Sequence, residues 1–201
     1  MRGKRLPRDF FCKDPVTLAV DLLGKLLVHE SREGRTSGIV VETEAYLGKT
    51  DRASHGYGGR RTPRMEPLYG PCGRAYVYVV HGKPLLNVAA GPPGEPTAVL
   101  IRALEPWEGV ELMARRRVVK VEKSSDLKKL CSGPGRLTQA MGITKEHNGV
   151  DLVEGPIYFE DVGYEVGEVV RRPRVGVDYA GEDALRPLRF YIAGNRFVSR
   201  R

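Results

Sequence analysis

The sequence has few cysteines and no long apolar run, and both absences restrict the class of protein. The three cysteines, Cys12, Cys72 and Cys131, are widely spaced and form no CxxC pattern. We therefore expect neither a disulfide scaffold nor a zinc site. No apolar run approaches the roughly 20 residues that a membrane span needs, and the basic N-terminus lacks the apolar segment of a signal peptide. These absences predict a protein that stays inside the cell and is neither secreted nor embedded in a membrane.

Internal repeats and low-complexity tracts are absent as well. The length of 201 residues favours one domain, residues 1–201, with a sizeable core. The content of 41% hydrophobic and 29% charged residues is typical of a globular chain. The formal net charge is +8 and the isoelectric point is about 9.5. This excess favours an anionic partner, with nucleic acid ahead of a membrane surface, although many proteins are basic for solubility alone.

Turn residues divide the chain into helical and strand-like segments. A first helix is predicted over residues 15–27, because apolar residues recur at near-helical spacing after Asp14, a good N-cap, and Pro15. Further helices are predicted over 105–117 and 133–143. The predicted strands cover residues 37–46, 74–82, 85–90, 97–105, 156–162, 164–177 and 188–194. Neighbouring strands with short links predict an α+β fold, in which helices surround a mostly antiparallel, curved sheet.

Two carboxylates stand close together in the apolar segment VVETEAYLG. Glu42 and Glu44 are two residues apart, so their side chains share one face of a strand, together with Tyr46. Glutamates on strands are usually solvated, but apolar residues flank this pair. A carboxylate among apolar neighbours suits a general base. Arg102 lies in another apolar strand, where its charge needs a partner; the candidates are Glu42, Glu44 and Glu105.

The longest predicted loop, residues 48–73, is rich in glycine and arginine. It contains His55, and Arg60, Arg61 and Arg64 are suited to meet phosphates, although such a loop is also typical of a flexible basic linker. The basic residues alone do not separate these two interpretations.

Two aromatic side chains follow on the next strand. Tyr76 and Tyr78 share a face, either as core residues or as a surface on which an unstacked base lies. Gly133 and Gly135 begin a helix whose amides could hold a phosphate, unless this is an ordinary helix start. Together these residues match the needs of an enzyme that acts on a base turned out of nucleic acid.

Six blocks of the sequence resemble the alkyladenine (3-methyladenine) DNA glycosylase family, in the same order and with nearly the same spacing. The blocks are ETEAYLG, SHGYGGRRTPR, YVYVVHG, VLIRALEP, LCSGPGRLTQAMGI and VGVDYAGEDALRPLRFYIAGN. The resemblance implies a glycosylase that flips alkylated or deaminated purines, such as 3-methyladenine and hypoxanthine, out of duplex DNA. It hydrolyses the N-glycosidic bond and starts base excision repair at the abasic site that it leaves. The blocks contain no lysine for a Schiff base, so we expect a monofunctional enzyme.

The resemblance also implies the surroundings of the reaction. The partner is double-stranded DNA with damaged purines, and a monomer suffices to bind it. No cofactor, metal or membrane is required. The expected location is the cytoplasm with the nucleoid, or the nucleus of a eukaryote.

The resemblance further assigns catalytic roles to residues of this chain. Glu44 is the expected general base, and Arg102 is expected to hold the attacking water with it, with a backbone carbonyl near Val175 as a third ligand. Both side chains are therefore expected to lie at the same site.

The resemblance assigns binding roles as well. Tyr46, His55 and Tyr78 are expected to stack on the extruded base, and Asn87 to restrict purines with a 2-amino group. His81 stands where the family usually has a tyrosine that fills the gap in the duplex, so the wedge is smaller here. The expected DNA-binding residues are His81, Arg60, Arg61, Arg64, Gly133 and Gly135.

Three alternatives have to be weighed against this interpretation. A nucleic-acid-binding domain with a decayed site would have lost Glu44 or its neighbours, and they are present. An RNA-binding or formyltransferase-like module has only analogy of fold in its favour. A peripheral membrane protein would need a long amphipathic basic helix, which the sequence lacks.

Overall fold

The structure, a computed structural model, describes residues 3–200, and its centre is one large antiparallel sheet. The strands are β1 (Lys4–Arg5), β2 (Leu26–Ser31), β3 (Gly34–Tyr46), β4 (Ala75–Val80), β5 (Lys83–Ala90), β6 (Thr97–Glu108), β7 (Ile157–Asp161), β8 (Val169–Arg172) and β9 (Arg189–Ile192). Their order is β1-β7-β2-β3-β6-β5-β4, and β9 pairs with both β3 and β8. The open order confirms the predicted α+β fold with a mostly antiparallel sheet.

Short helices pack around this sheet. They are α1 (Arg8–Phe11), α2 (Pro15–Asp21), α3 (Glu66–Tyr69), α4 (Val110–Arg117), α5 (Lys128–Cys131) and α6 (Pro134–Met141). The helix α2 packs on β3 and β6, and α6 packs on β5 and β6. No helix within residues 3–200 is long and apolar enough to cross a membrane.

The side chains of β3 lie on two faces of the sheet. The Thr43 hydroxyl donates to the Ala19 carbonyl of α2 at 2.8 Å, so the odd-numbered side chains of this strand face α2. Side chains alternate along a strand, and the even-numbered ones therefore face away from α2. The register of β3 against β6 shifts near Val40, Glu42 and Thr43, and such bulges bend a strand.

Two predicted helix ranges were wrong at one end. Asp14 caps α2 as predicted, since its side chain accepts the amides of Val16 and Thr17. The helix nevertheless ends at Asp21, and Gly24 adopts a positive φ of 78° before β2 begins. Short apolar runs fit a buried strand as well as a helix, which explains why β2 was missed.

The other boundary error concerns the segment 105–117. The strand β6 continues to Glu108, and α4 begins only after Gly109, whose φ is +73°. The predicted helix 133–143 is confirmed as α6, but only Val169–Arg172 of the predicted strand 164–177 pairs with a neighbour. Segment 164–177 carries Gly167, Pro173 and Gly176, residues that interrupt pairing.

The sequence predicted no disulfide scaffold, and the structure has a single disulfide that the sequence interpretation did not identify. Cys12, just after α1, pairs with Cys72, 60 residues later, while Cys131 is a free and buried thiol. The wide spacing in sequence concealed this pair, because only the fold brings the end of α1 next to the start of β4.

Candidate active site

Glu44 and Tyr46 lie on the face of β3 that points away from α2. The Tyr46 hydroxyl donates to Glu44 Oε2 at 2.8 Å, so the predicted shared face is confirmed for this pair. The Glu44 side chain is fully buried. Burial and the neighbouring carboxylate of Glu44 raise the pKa of Tyr46 well above its usual value, and the phenol stays protonated.

The other oxygen of Glu44 meets two donors from different elements. The amide of Val175 donates to Oε1 at 2.7 Å, and Nη1 of Arg102, on β6, lies 3.3 Å from the same atom. A carboxylate offers about four acceptor positions, and the hydrogen bonds from Tyr46 and Val175 occupy two of them. At Val175 the observed contact comes from the amide, and the role of a carbonyl there stays a prediction.

Glu42 has a separate set of partners. It accepts hydrogen bonds from Arg102 Nε at 3.0 Å, from Arg189 Nη1 at 3.1 Å and from the Ser199 amide at 2.7 Å. Pairing of Arg102 with both carboxylates is thus confirmed. Burial opposes the charge on Arg102, but Glu44 and Glu42 outweigh it and raise the pKa of the guanidinium. Glu105 instead accepts from Tyr164 and Asn195.

Beside this carboxylate cluster lies a small pocket with aromatic walls. It is lined by Tyr46, Ser54, His55, Leu68, Tyr76, Tyr78, Asn87, Pro96 and Ala98. The ring centroids of His55 and Tyr78 are 4.4 Å apart, and those of Tyr76 and Tyr78 are 5.3 Å apart. The fold therefore brings all four predicted base-binding residues to one pocket, although their roles stay predictions.

Hydrogen bonds fix two walls of the pocket. Nδ1 of His55 lies 2.7 Å from the Tyr76 hydroxyl, and the side-chain amide of Asn87 donates to the Tyr76 carbonyl at 3.2 Å. Burial lowers the pKa of His55, and the nearby cations Arg64 and Arg60 lower it further. Burial raises the pKa of Tyr76 to about 12. Both partners are therefore neutral near pH 7.

The pocket shares Tyr46, His55 and Tyr78 with a wider cleft of about 430 Å³. Arg102, Val175 and the exposed Tyr179 also line this cleft. Two of these lining residues, Arg102 and Val175, are the ones that contact Glu44. A molecule in the cleft would therefore lie next to the groups that hold this carboxylate.

His81 lies at the rim of the cleft, in the turn between β4 and β5. It has a φ of +48°, and Gly82 follows with +73°. Two successive residues with positive φ are typical of a two-residue hairpin turn of type I′. The exposed His81 thus projects at a hairpin tip, a geometry compatible with the predicted wedge.

The three predicted DNA-binding arginines differ in their contacts. Arg60 and Arg64 lie near His55, whereas Arg61 binds Glu66 through two hydrogen bonds of 2.8 and 2.6 Å. A phosphate would have to compete with Glu66 for Arg61, and the DNA-binding role of all three stays a prediction.

The glycines at the start of α6 have a packing role. A Cβ at Gly135 would lie 2.8 Å from the Lys83 side chain, so glycine there allows the hairpin to approach α6. Gly133 adopts a φ of +141° directly before the helix. Binding of a phosphate at these amides stays a prediction.

The sequence interpretation missed a buried ion pair behind the site. Asp51 and Arg174 have fully buried side chains and bind each other. Asp51 stands in a polar loop and Arg174 in an arginine-rich segment, where both side chains are usually solvated.

Within residues 3–200, no group of three or more His, Cys, Asp or Glu side chains could hold a metal ion.

Comparisons with known proteins match nearly the whole chain. A family model described as methylpurine-DNA glycosylase matches residues 9–196. A protein of Clostridium acetobutylicum named "Putative 3-methyladenine DNA glycosylase" is 48% identical, over 97% of each chain. Proteins with the same name from Bacillus licheniformis and Bacillus subtilis are 48% and 46% identical, each over 97% of this chain and 96% of the relative.

Proposed function

The chain belongs to the methylpurine-DNA glycosylase family. We propose that it turns a damaged purine nucleotide out of duplex DNA and hydrolyses the N-glycosidic bond of that nucleotide within the cleft. It is an N-glycosyl hydrolase of the DNA-3-methyladenine glycosylase type. Our proposal concerns base flipping, the role of each residue and the range of lesions. The observation that carries it is the buried Glu44 carboxylate beside an aromatic pocket that opens into the cleft.

The extruded base would enter the aromatic pocket from the adjoining cleft of about 430 Å³. Tyr46, His55 and Tyr78 supply ring faces for stacking, and base–aromatic stacking contributes roughly 1–3 kcal/mol per base. A 3-alkylated adenine carries a positive charge, which strengthens its attraction to aromatic faces. Neutral His55 adds no positive charge that would repel such a base. Asn87 lines the same pocket, and it would restrict purines that carry a 2-amino group.

Glu44 would act as the general base. Departure of the base builds positive charge on the sugar, which a nearby carboxylate stabilises while it accepts a proton from water. Glu44 accepts hydrogen bonds from Tyr46 and Val175 and is paired with Arg102, and a carboxylate has further acceptor capacity for the attacking water. An alkylated base is a good leaving group, whereas neutral hypoxanthine needs protonation. We therefore expect alkylpurines to be released faster than hypoxanthine.

The DNA duplex would lie across the cleft mouth. His81 at the hairpin tip would enter the gap left by the nucleotide, and Arg60 and Arg64 would meet phosphates beside the pocket. A single glycosylase domain of residues 1–201, acting as a monomer where the genome lies, is sufficient for this activity. The product is an uncut abasic site, since no lysine occurs in the family blocks.

The test is release of the base from a 3-methyladenine duplex and from a hypoxanthine duplex. Glu44→Gln is compared with wild type and with Glu165→Gln, which removes a carboxylate from an exposed position. Loss of a general base costs roughly 10²–10⁴-fold in rate. We expect a fall of that size in Glu44→Gln, with unchanged duplex binding, and no fall in Glu165→Gln.

Two results would contradict the proposal. A wild-type rate in Glu44→Gln would remove this residue from the chemistry. A wild type that binds both duplexes and releases neither base would be a binding domain with a decayed site.

A further inference from the structure

Arg174 and Asp51, the buried ion pair behind the site, bind each other through two hydrogen bonds. Nη1 of Arg174 lies 2.6 Å from one carboxylate oxygen and Nη2 lies 2.8 Å from the other, and both side chains are fully buried. A bidentate pair fixes orientation as well as distance. Removing two charges from water costs about as much as their attraction returns. Stability alone is therefore a weak explanation for this pair.

Arg174 also contacts the strand that carries the proposed catalytic residues. Its Nη1 donates to the carbonyl of Ala45 at 3.0 Å, and its Cζ lies 4.8 Å from the centroid of the Tyr46 ring. A guanidinium held over an aromatic ring restricts the plane of that ring. Because Tyr46 also lines the pocket, this contact sets the surface on which a base would stack.

The residue after Arg174 supplies a direct contact to the carboxylate. The Val175 amide donates to Glu44 Oε1 at 2.7 Å. Arg174 is therefore adjacent in the chain to the amide that donates to the proposed general base. A displacement of the Arg174 backbone would displace this donor too.

Asp51 extends the same set of contacts to the loop that carries His55. Its carboxylate accepts the amides of Leu47 at 2.9 Å and of Ala53 at 3.0 Å, so it bridges both sides of a tight turn. Burial opposes its ionisation, but Arg174 and these amides outweigh burial and lower the pKa of Asp51. His55 follows Ala53 by two residues. The turn thus connects Arg174 to a second wall of the pocket.

We propose that the Arg174–Asp51 pair is a positioning device for the active site. It holds the Tyr46 ring, the amide donor on Glu44 and the loop of His55 in one mutual geometry. The inference rests on the proposed roles of those three side chains. Arg174 and Asp51 themselves act only through them.

Arg174→Lys is the direct test, because lysine keeps the charge but loses the planar, bidentate donor. A misplacement of about 1 Å in an active site can cost about 10²-fold in rate. We expect the single-turnover rate constant for release of 3-methyladenine to fall by about that factor. The duplex concentration at half-saturation should stay close to that of wild type, because no phosphate contact is changed.

A matched control removes a comparable arginine at the far end of β3. Arg35 also makes four hydrogen bonds, to the side chains of Glu30, Glu108, Tyr158 and Glu160. Arg35→Lys should lower the melting temperature without lowering the single-turnover rate at a temperature where the variant is folded. Asp51→Asn is the second site variant and removes the same pair from the other side, should Arg174→Lys not fold.

A double-mutant cycle separates positioning from general loosening. In a Tyr46→Leu background, Arg174→Lys should cost much less than it does in wild type, because the two residues act through one contact. Glu44→Gln is measured in parallel, and its rate tests the proposed general base independently of Arg174.

The outcomes are distinguishable. A wild-type rate in Arg174→Lys and Asp51→Asn overturns the positioning role. So does a loss equal to that of Arg35→Lys, or a loss fully additive with Tyr46→Leu, whatever Glu44→Gln shows. A selective, non-additive loss of about 10²-fold with unchanged half-saturation supports the role.

Discussion

Substitution by glutamine should have different effects at the two neighbouring carboxylates of β3. Glu42 accepts hydrogen bonds from two arginines and from the Ser199 amide, whereas Glu44 accepts one from Tyr46, which lines the pocket. Glu42→Gln keeps the shape of the side chain and removes its charge. The variant should therefore lose stability, whereas Glu44→Gln should lose chemistry.

The magnitude follows from the burial of the cluster. Removal of one partner from a buried ion pair costs about 3–5 kcal/mol, because the other charge is left uncompensated. Arg102 keeps Glu44 as a partner, but Arg189 has no other carboxylate in its hydrogen bonds within residues 3–200. For a domain of this length, 1 kcal/mol shifts the melting temperature by about 2–4 °C. Glu42→Gln should thus melt about 6–20 °C below wild type.

The assay combines thermal unfolding with single-turnover base release at a temperature where both variants are folded. Glu44→Gln leaves Arg102 paired with Glu42 at 3.0 Å, so its melting temperature should fall by less than that of Glu42→Gln. Base release by Glu42→Gln should fall by much less than the 10²–10⁴-fold expected for loss of a general base. If Glu42→Gln abolishes release and melts like wild type, the division of roles between the two carboxylates is refuted.

Three further predictions concern groups outside the site. Reduction of the Cys12–Cys72 disulfide, which spans 60 residues, should lower the free energy of unfolding by about 2–4 kcal/mol. Urea unfolding of wild type with and without reductant measures this change. The stability of the control variant Cys12→Ser should not respond to reductant. The third cysteine, Cys131, is buried and has a pKa raised to about 12, so thiol reagents should modify it only after unfolding. Burial lowers the pKa of His29 in the folded state, although its hydrogen bond to the Met141 carbonyl opposes the shift. As pH falls below about 6.5 the unfolded chain therefore binds the proton first, and stability should decrease; unfolding at pH 7.5 and 5.5 should show a smaller decrease in His29→Gln, and an equal decrease would refute the assignment.

The sequence was sufficient for the class of fold and for most of the candidate site. Strand-like apolar runs bounded by turn residues identify β3, β4, β5 and β6. The alternation of side chains also placed Glu44 and Tyr46 together, since this contact is local to one strand. The boundaries of α2 and α4 were less certain, because an apolar run before a glycine fits both a strand and a helix.

What the sequence by itself determined is thus local: the shared face of Glu44 and Tyr46, the cap at Asp14, the basic charge and the family blocks. The tertiary structure alone decided the long-range pairs, above all Asp51 with Arg174 and Cys12 with Cys72. It also decided that Glu42 accepts hydrogen bonds from two arginines, Arg102 and Arg189. The physical reason is that burial and charge pairing depend on segments far apart in the chain. A charged residue in a polar loop has the same local pattern whether it becomes solvated or fully enclosed.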